Sequence, residues 1–458
     1  MKLRAIRLAA LVLLAHSAQH RLAAQESRAA LASGLDSIAR AALASGRAAG
    51  LSVGVVRGRD TLLLKGYGSA DLELDVPTPP AAIYEIGSVT KQFTASAVMQ
   101  LVEQGKLALD DELTKYLPDY PTQGHRITIR RLLDHTSGIK GYTELPAFGA
   151  LMVRKLPRDS LVALFSKAPF DFSPGDALVY NNSAYFLLGL IIEKVSGKSY
   201  ADYVRDNLFA RAGMPDSRYC SENAVVKRRA HGYDTGPNGT LVRAAYLDHT
   251  WPFAAGSLCS TVGDLIAWAR ALHGGRILGP DAYRELITPE TLNDGTPLRY
   301  AKGLAISDVA GHRAIHHGGA INGFLAQLDW FPADSAIIVV LINTAGPVNP
   351  GEIATALAER LFGKRAVASA AFGGDLAAYA GTWRGVGRGG SLTIRTDRDS
   401  SGLVARILPG TRSVPLRFLG GDSFEAGSNR FTFLRTGAQI TGLRYDGIFQ
   451  LSTLQRVP

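Results

Sequence analysis

The stretch EIGSVTKQFTASAVMQ, Glu85 to Gln100, sets a serine where an apolar-periodic run begins and a lysine three residues further on. Phe93, Ala97, Val98 and Leu101 recur at helical spacing, which predicts a helix beginning near Ser88. Serine is a preferred helix cap. A capping box needs Glu or Gln at the third helical position, yet Lys91 stands there, a cation at the end of the helix where the macrodipole disfavours it. Breaks of a local rule tend to fall at functional sites. By itself Ser-x-x-Lys is a common chance pattern, so its meaning depends on partners elsewhere in the chain.

Outward from this helix, the chain divides by pattern. Residues 25 to about 50 are alanine-rich and helix-prone. Ser52–Val56 and Thr61–Lys65 are short β-branched runs around the turn RGRD, a hairpin signal. From Glu85 to about Gly274 helical periodicity dominates, broken by Gly, Pro, Asn and Ser. Strand signals return in GHRAIHHGG, FLAQLDWFP and SAIIVVLIN, followed by the helix GEIATALAERLFG with Gly363 as its cap. Strands at both ends with helices between predict an α/β (α+β) fold, one antiparallel sheet closed by the chain ends and packed on a helical region. Beyond a small-residue stretch, SLTIR, LVARIL, PLRFL, SFEAG, RFTFL, ITGLRYDG and FQLSTLQRV come at intervals of about ten residues, the signature of a small all-β barrel or sandwich. The expected organisation is a leader over 1–24, a catalytic unit over 25–365, a linker over 366–377 and a β accessory domain over 378–458. No catalytic cluster stands out in the last of these, which is read as a structural or substrate-shaping accessory.

The 458 residues are 46% hydrophobic and 20% charged, an ordinary globular balance. MKLRAIR, then LAALVLLA, then RLAAQ reads as a secretory leader cleaved near Ala24. Its apolar core is too short to span a bilayer, and no later run reaches spanning length. The expectation is an exported protein, periplasmic or secreted, without a stable membrane anchor. Loss of the leader takes the charges of Lys2, Arg4, Arg7 and Arg21 off a formal net charge of +10. The remaining basic residues are dispersed without aromatic interleaving, which argues against nucleic acid as a partner. Cys220 and Cys259 have no zinc-ligand spacing. In an exported chain the pair is read as a disulfide, with two buried thiols as the alternative. No cofactor or metal is expected, because the adjacent His316 and His317 would diverge rather than share an ion.

A serine hydroxyl needs a base, and a lysine serves as one only if desolvation or a neighbouring cation lowers its pKa. Two further strings offer partners. Tyr180-Asn181-Asn182 precedes a strongly apolar helix, Ala184 to Val195. Tyr180 can shuttle a proton, and Asn182 can accept from Lys91 while donating to a substrate amide. Read singly, Tyr180 is a packing tyrosine and Asn182 a helix cap. His317-Gly318-Gly319 opens a strand signal whose glycines allow a ligand backbone to approach. The N–H of Ala320 then becomes a second oxyanion donor beside that of Ser88, while His317 holds a carboxylate or joins the proton network.

In order, GSVTKQFTA, ITIRRLLDHTSGI, FSPGDALVYNNSAYFLLGLIIEKVSG, AAGSLCSTVGDLIAWA and HHGGAINGF make residues 35–361 resemble the class C β-lactamase and penicillin-binding-protein-like serine hydrolases. That group includes D-alanyl-D-alanine carboxypeptidases, D-aminopeptidases and esterases. The region from about Ala378 resembles the lipocalin-like β domain that some members append. The resemblance implies Ser88 as acylated nucleophile, Lys91 as its base or proton relay, Tyr180 and Asn182 as the second motif, and Gly319 as the last glycine of the third. It implies that the His135–Gly138 turn, in LLDHTSGI, is structural. His317 falls where many β-lactamases carry a permanently charged lysine, whereas histidine is mostly neutral near pH 7. Ester, amide or D-amino-acid peptide substrates, including cell-wall peptides, are therefore expected over strong β-lactam hydrolysis. The alternative is a penicillin-binding or wall-peptide sensor with little turnover. Tyr142, Trp251 and Phe253 are candidates to line the cleft.

Overall fold

A computed structural model describes residues 28–365 and 372–457. The expected leader, and the first part of the expected linker, lie outside them. Residues 28–44 are helical (α1). The hairpin predicted around RGRD forms from β1 (Gly50–Arg57) and β2 (Asp60–Asp71), with a further short strand β3 (Val76–Pro77) beside it. After the helical region come β4 (Ala305–Val309), β5 (His312–Ile321), β6 (Phe324–Phe331) and β7 (Ala336–Ile342). They make one seven-stranded sheet in the order β4-β5-β6-β7-β1-β2-β3. Each neighbouring pair is antiparallel, and Val53 opposite Val340 joins the two ends of the domain.

β7 is buried at every position, which explains its unbroken apolar run AIIVVLI: it has helices on both faces. Ile338, Val340 and Ile342 pack with Leu35 and Ala39 of α1 and with Ile353, Leu357 and Leu361 of the C-terminal helix Pro350–Phe362. Ile337, Val339 and Leu341 belong to the larger core of the helical region. At the centre of that region lies α2 (Thr90–Glu103), entered through a 3₁₀ turn over Gly87–Val89. Its residues Thr90 to Leu101 are buried all round, so it is a core helix rather than an amphipathic surface one. Its polar groups are met inside: the Thr94 hydroxyl bonds the Ala254 carbonyl at 2.6 Å and Gln92 accepts from the Trp268 indole at 3.1 Å.

The C-terminal β signals form a separate antiparallel sheet with its own aromatic core around Trp383, Phe424 and Phe433. Its path ends at Val414–Pro415 and Arg417–Gly420, which are adjacent in sequence, so the sheet curls into a nearly closed barrel. One correction applies to the expected boundaries, and one strand inside them was not expected. Phe372 and Leu376, placed in the linker, already pack on the barrel core. The strand Gly381–Gly387, GTWRGVG, went unrecognised because its glycines and arginine break the apolar alternation. The barrel is not a free appendage: its last strand, Gln450–Val457, pairs with the short strand Leu178–Val179 of the helical region. Arg299 bonds Asp446 through Nε at 2.9 Å, and Arg444 bonds Asp294 at 2.8 Å, across the same boundary. No helix of the described residues is long and apolar enough to cross a membrane.

Candidate active site

Ser88 sits in the 3₁₀ turn before α2 and makes no capping bond, so its hydroxyl is free for other use. Lys91 lies one turn on and is fully buried. Its Nζ is 3.2 Å from Ser88 Oγ, 2.8 Å from Asn182 Oδ1 and 2.8 Å from the Ala255 carbonyl. Asn182 Oδ1 and the Ala255 carbonyl can only accept. A neutral amine gives its two hydrogens to them and turns its lone pair to the Ser88 hydroxyl. Burial, then the nearby Arg388 cation, holds the Lys91 pKa well below the usual lysine value, while Glu144 pulls weakly the other way. The neutral base that the sequence required is therefore favoured.

Tyr180 follows the strand Leu178–Val179, and its backbone N–H donates to the Phe449 carbonyl at 3.1 Å. Lys91 Nζ stands 4.6 Å from its ring centroid. Among the described residues the hydroxyl makes no hydrogen bond of full geometry, although Ser88 lies beside it. Burial raises its pKa, with Ser88 and Arg388 opposing. Tyr180 is thus a phenol at neutral pH, a proton donor and relay rather than a phenolate base. The helix that follows, Asn182–Ser196, is capped by Asn181, whose Oδ1 accepts from Ala184 N at 2.9 Å. The capping role considered for Asn182 falls to its neighbour, which leaves Asn182 to hold Lys91 and to donate to Thr143 Oγ1 at 3.3 Å.

The third string is on β5. β4 pairs with this strand only as far as His316, so from His317 onward one edge lacks a sheet partner among the described residues and abuts the Ser88 turn. Two glycines permit the contact. A Cβ on Gly319 would overlap the Ile86 carbonyl and lie 3.2 Å from Ser88 N; one on Gly87, at φ +49°, would lie 2.9 Å from Ala320 N. The peptides of Ser88 and Ala320 are thereby brought together. His317 Nδ1–H donates to the Gly318 carbonyl at 2.5 Å, and Nε2 accepts from the Tyr300 hydroxyl at 3.0 Å. Burial, then Lys91, lowers the His317 pKa to about 3. His317 joins the site but is neutral with both nitrogens engaged, so the carboxylate-holding role considered for it does not fit. His316 points elsewhere, to Ser307 and Gln327.

The His135–Gly138 turn lies beneath Tyr180, as the structural reading expected. His135, at φ +62°, accepts the Asn181 N–H at 3.1 Å and packs its ring 4.4 Å from that of Tyr180. The whole opens into a cavity of about 770 Å³. Tyr142 and Trp251 line it; Phe253 does not, being packed in the core against Phe186 and Gly189. Cys220 and Cys259 form a disulfide, with Cys259 opposite Glu85 on the strand beside the serine turn. Among the described residues one group of imidazole and carboxylate atoms could share a cation, Glu85, Glu222 and His249, but Arg229 already bonds both carboxylates. Sequence reasoning missed Tyr300, Thr143, Arg388 and Phe449. The last two enter the cavity from hairpin tips of the barrel, and none of the four lies in a recognisable motif.

This fold, with serine, buried lysine, tyrosine and a glycine-paired strand edge around one cavity, defines the β-lactamase and penicillin-binding-protein class. A family profile described as Beta-lactamase matches residues 35–361, and the chain belongs to that family. It is 27% identical to Protein flp of Staphylococcus aureus (strain MW2) over 319 residues, 68% of this chain and 62% of that protein. It is 30% identical to a D-aminopeptidase of Brucella canis over 300 residues, 65% of this chain and 57% of that one. The chain thus matches less than two thirds of the length of these relatives. The structure of an octameric penicillin-binding protein homologue from Pyrococcus abyssi superposes with a TM-score of 0.63 at 25% identity, covering 92% of this chain and 97% of that one. At that coverage the likeness extends into the β barrel.

Proposed function

We propose that this protein is an exported serine hydrolase that works through a Ser88 acyl-enzyme on an ester, amide or D-amino-acid peptide. The observation that carries the reading is the fully buried Lys91 amine, 3.2 Å from Ser88 Oγ and held by two obligate acceptors. Neutral Lys91 takes the Ser88 proton as Oγ attacks the carbonyl carbon. The oxyanion is received by the N–H groups of Ser88 and Ala320. Tyr180 gives its proton to the leaving nitrogen or oxygen and is reprotonated from Lys91, so the serine proton departs with the leaving group. Water then adds to the acyl carbon, passes a proton to the same pair, and Ser88 regains its hydrogen. The D-aminopeptidase relative supports an amide or D-peptide substrate, and neutral His317 speaks against strong β-lactam hydrolysis. Export is part of the proposal, supported by the leader pattern and by a disulfide, which persists in oxidising compartments.

The test is a hydrolysis panel of p-nitrophenyl esters, nitrocefin, D-amino-acid amides and D-Ala-D-Ala peptides, each run beside Ser88→Ala. Turnover of an ester, amide or D-peptide, lost in Ser88→Ala together with fluorophosphonate labelling, is the expected result. Full turnover by Ser88→Ala refutes the assignment, and labelling without product release turns the reading to a sensor.

A further inference from the structure

The barrel reaches the cavity through two hairpin tips. One is the turn at Arg388-Gly389, between the strands Gly381–Gly387 and Gly390–Asp399; the other is at Ile448-Phe449. Phe449 packs on Tyr180, Tyr300 and His317 with ring centroids 5.3, 5.8 and 5.4 Å away. Arg388 places its guanidinium carbon 5.6 Å from the Tyr180 ring centroid. Its Nε donates to Glu144 Oε1 at 2.5 Å and its Nη2 to Thr143 Oγ1 at 3.3 Å. Nη1 has no partner among the described residues, and the side chain is half exposed to the cavity.

The charged residues that line this cavity are Arg388 and Glu352, the latter exposed. Lys91 is beneath its floor with its hydrogens committed. His317, where the resemblance would put a cation, is neutral with both nitrogens engaged. A guanidinium remains charged when desolvated and offers five donors, enough to keep Glu144 and Thr143 and still bind a second anion through its open edge. Carboxylates are the planar partners that this edge fits best.

We propose that Arg388, delivered by the β barrel, is the anion anchor of this active site and selects acyl donors bearing a free carboxylate on the leaving-group side of the scissile bond. The proposal rests on the acyl-enzyme reading above. The side is set by Tyr180: it protonates the leaving group, and Arg388 lies over that same ring. The proposal puts that carboxylate about one residue, roughly 3.5 Å of chain, beyond the scissile bond. Glu144 competes for the guanidinium and offsets part of its charge, while Thr143, which Glu144 and Asn182 share, links the anchor to the reacting centre.

The experiment measures how well N-acetylated D-Ala-D-Ala, as the free acid and as the carboxamide, protects Ser88 from fluorophosphonate labelling. It compares wild type, Arg388→Gln, Arg388→Lys and Glu144→Gln, all as the full chain. Wild type is expected to favour the acid at least tenfold. Arg388→Gln brings the acid-to-amide ratio near one, Arg388→Lys leaves it between, and Glu144→Gln raises it by freeing the guanidinium. An equal ratio in wild type and Arg388→Gln overturns the proposal. So does a wild-type preference for the amide, protection by neither peptide, or a ratio that falls in Glu144→Gln; the last serves if Arg388→Gln does not fold. Absence of any Ser88 labelling in wild type takes down the acyl-enzyme reading itself, whereas normal labelling with an equal ratio removes only the anchor.

Discussion

The wall made by Ser88, Tyr180 and Asn182, with Lys91 buried behind it, and the wall made by Arg388 and Phe449 line one cavity, but they are held in different ways. The first rests on a helix buried over its whole circumference and on a tyrosine packed against His135. Lys91 has three protein neighbours at bonding distance. The second consists of two hairpin tips, with Arg388 half exposed and Phe449 38% exposed. Buried groups packed on every side keep fixed positions and shifted pKa values, which proton transfer requires. Exposed tips on a rigid barrel suit selection, because they change with little effect on the core. Under the function proposed above, the difference is a division of labour in which the helical region carries the reaction and the barrel selects what enters.

The sharpest way to break that division is at its centre. Lys91→Ala is expected to lower kcat/KM for any hydrolysed substrate by about 10³-fold or more, close to the effect of Ser88→Ala, since residues that act as a unit fail as a unit. Steady-state rates on the best ester of the panel measure it, and a loss below tenfold would remove Lys91 as the base.

The pH profile probes the one place where the two walls meet electrostatically. Lys91 acts as the neutral amine, so kcat/KM falls as pH falls through its pKa. Burial and Arg388 both hold that pKa down. Arg388→Gln removes one of the two, the pKa rises, and the acid limb moves to higher pH, measured on an uncharged ester. An acid limb that stays in place separates the barrel from the chemistry altogether.

The smallest effect is expected at Phe449→Ala. Its carbonyl still receives the Tyr180 N–H, so only the ring contacts vanish. Only the contact with Tyr180 bears on a proton-transferring group; one aromatic pair contributes about 0.5–1.5 kcal/mol, which corresponds to roughly two- to tenfold in kcat/KM. A loss of the size seen for Lys91→Ala would place Phe449 within the reacting machinery and erase the division.

Much of this protein was legible in order of sequence. The Ser88–Lys91 pair stands out because it violates a local helix rule, and such a violation is visible within four residues. β7 reveals itself as an unbroken apolar run, and the hairpin around RGRD by its turn. The capping of the helix at Asn181 rather than Asn182 was not legible, because either asparagine satisfies the pattern and only backbone geometry chooses. The strand GTWRGVG was hidden by its glycines, and with it the tip that carries Arg388.

The sequence by itself determined the chemistry: a hydroxyl and an amine one helical turn apart, a phenol and amide before an apolar helix, and paired glycines on a strand, each fixed by local periodicity. Tertiary structure alone decided the charge state and the company of these groups. It buried Lys91 and so favoured the neutral amine, kept Tyr180 a phenol, and kept His317 neutral by burying it beside Lys91. It also brought an arginine, 300 residues along the chain from the nucleophile, to the same cavity. Desolvation and long-range contact depend on what surrounds a residue in space, and no periodicity along the chain encodes that.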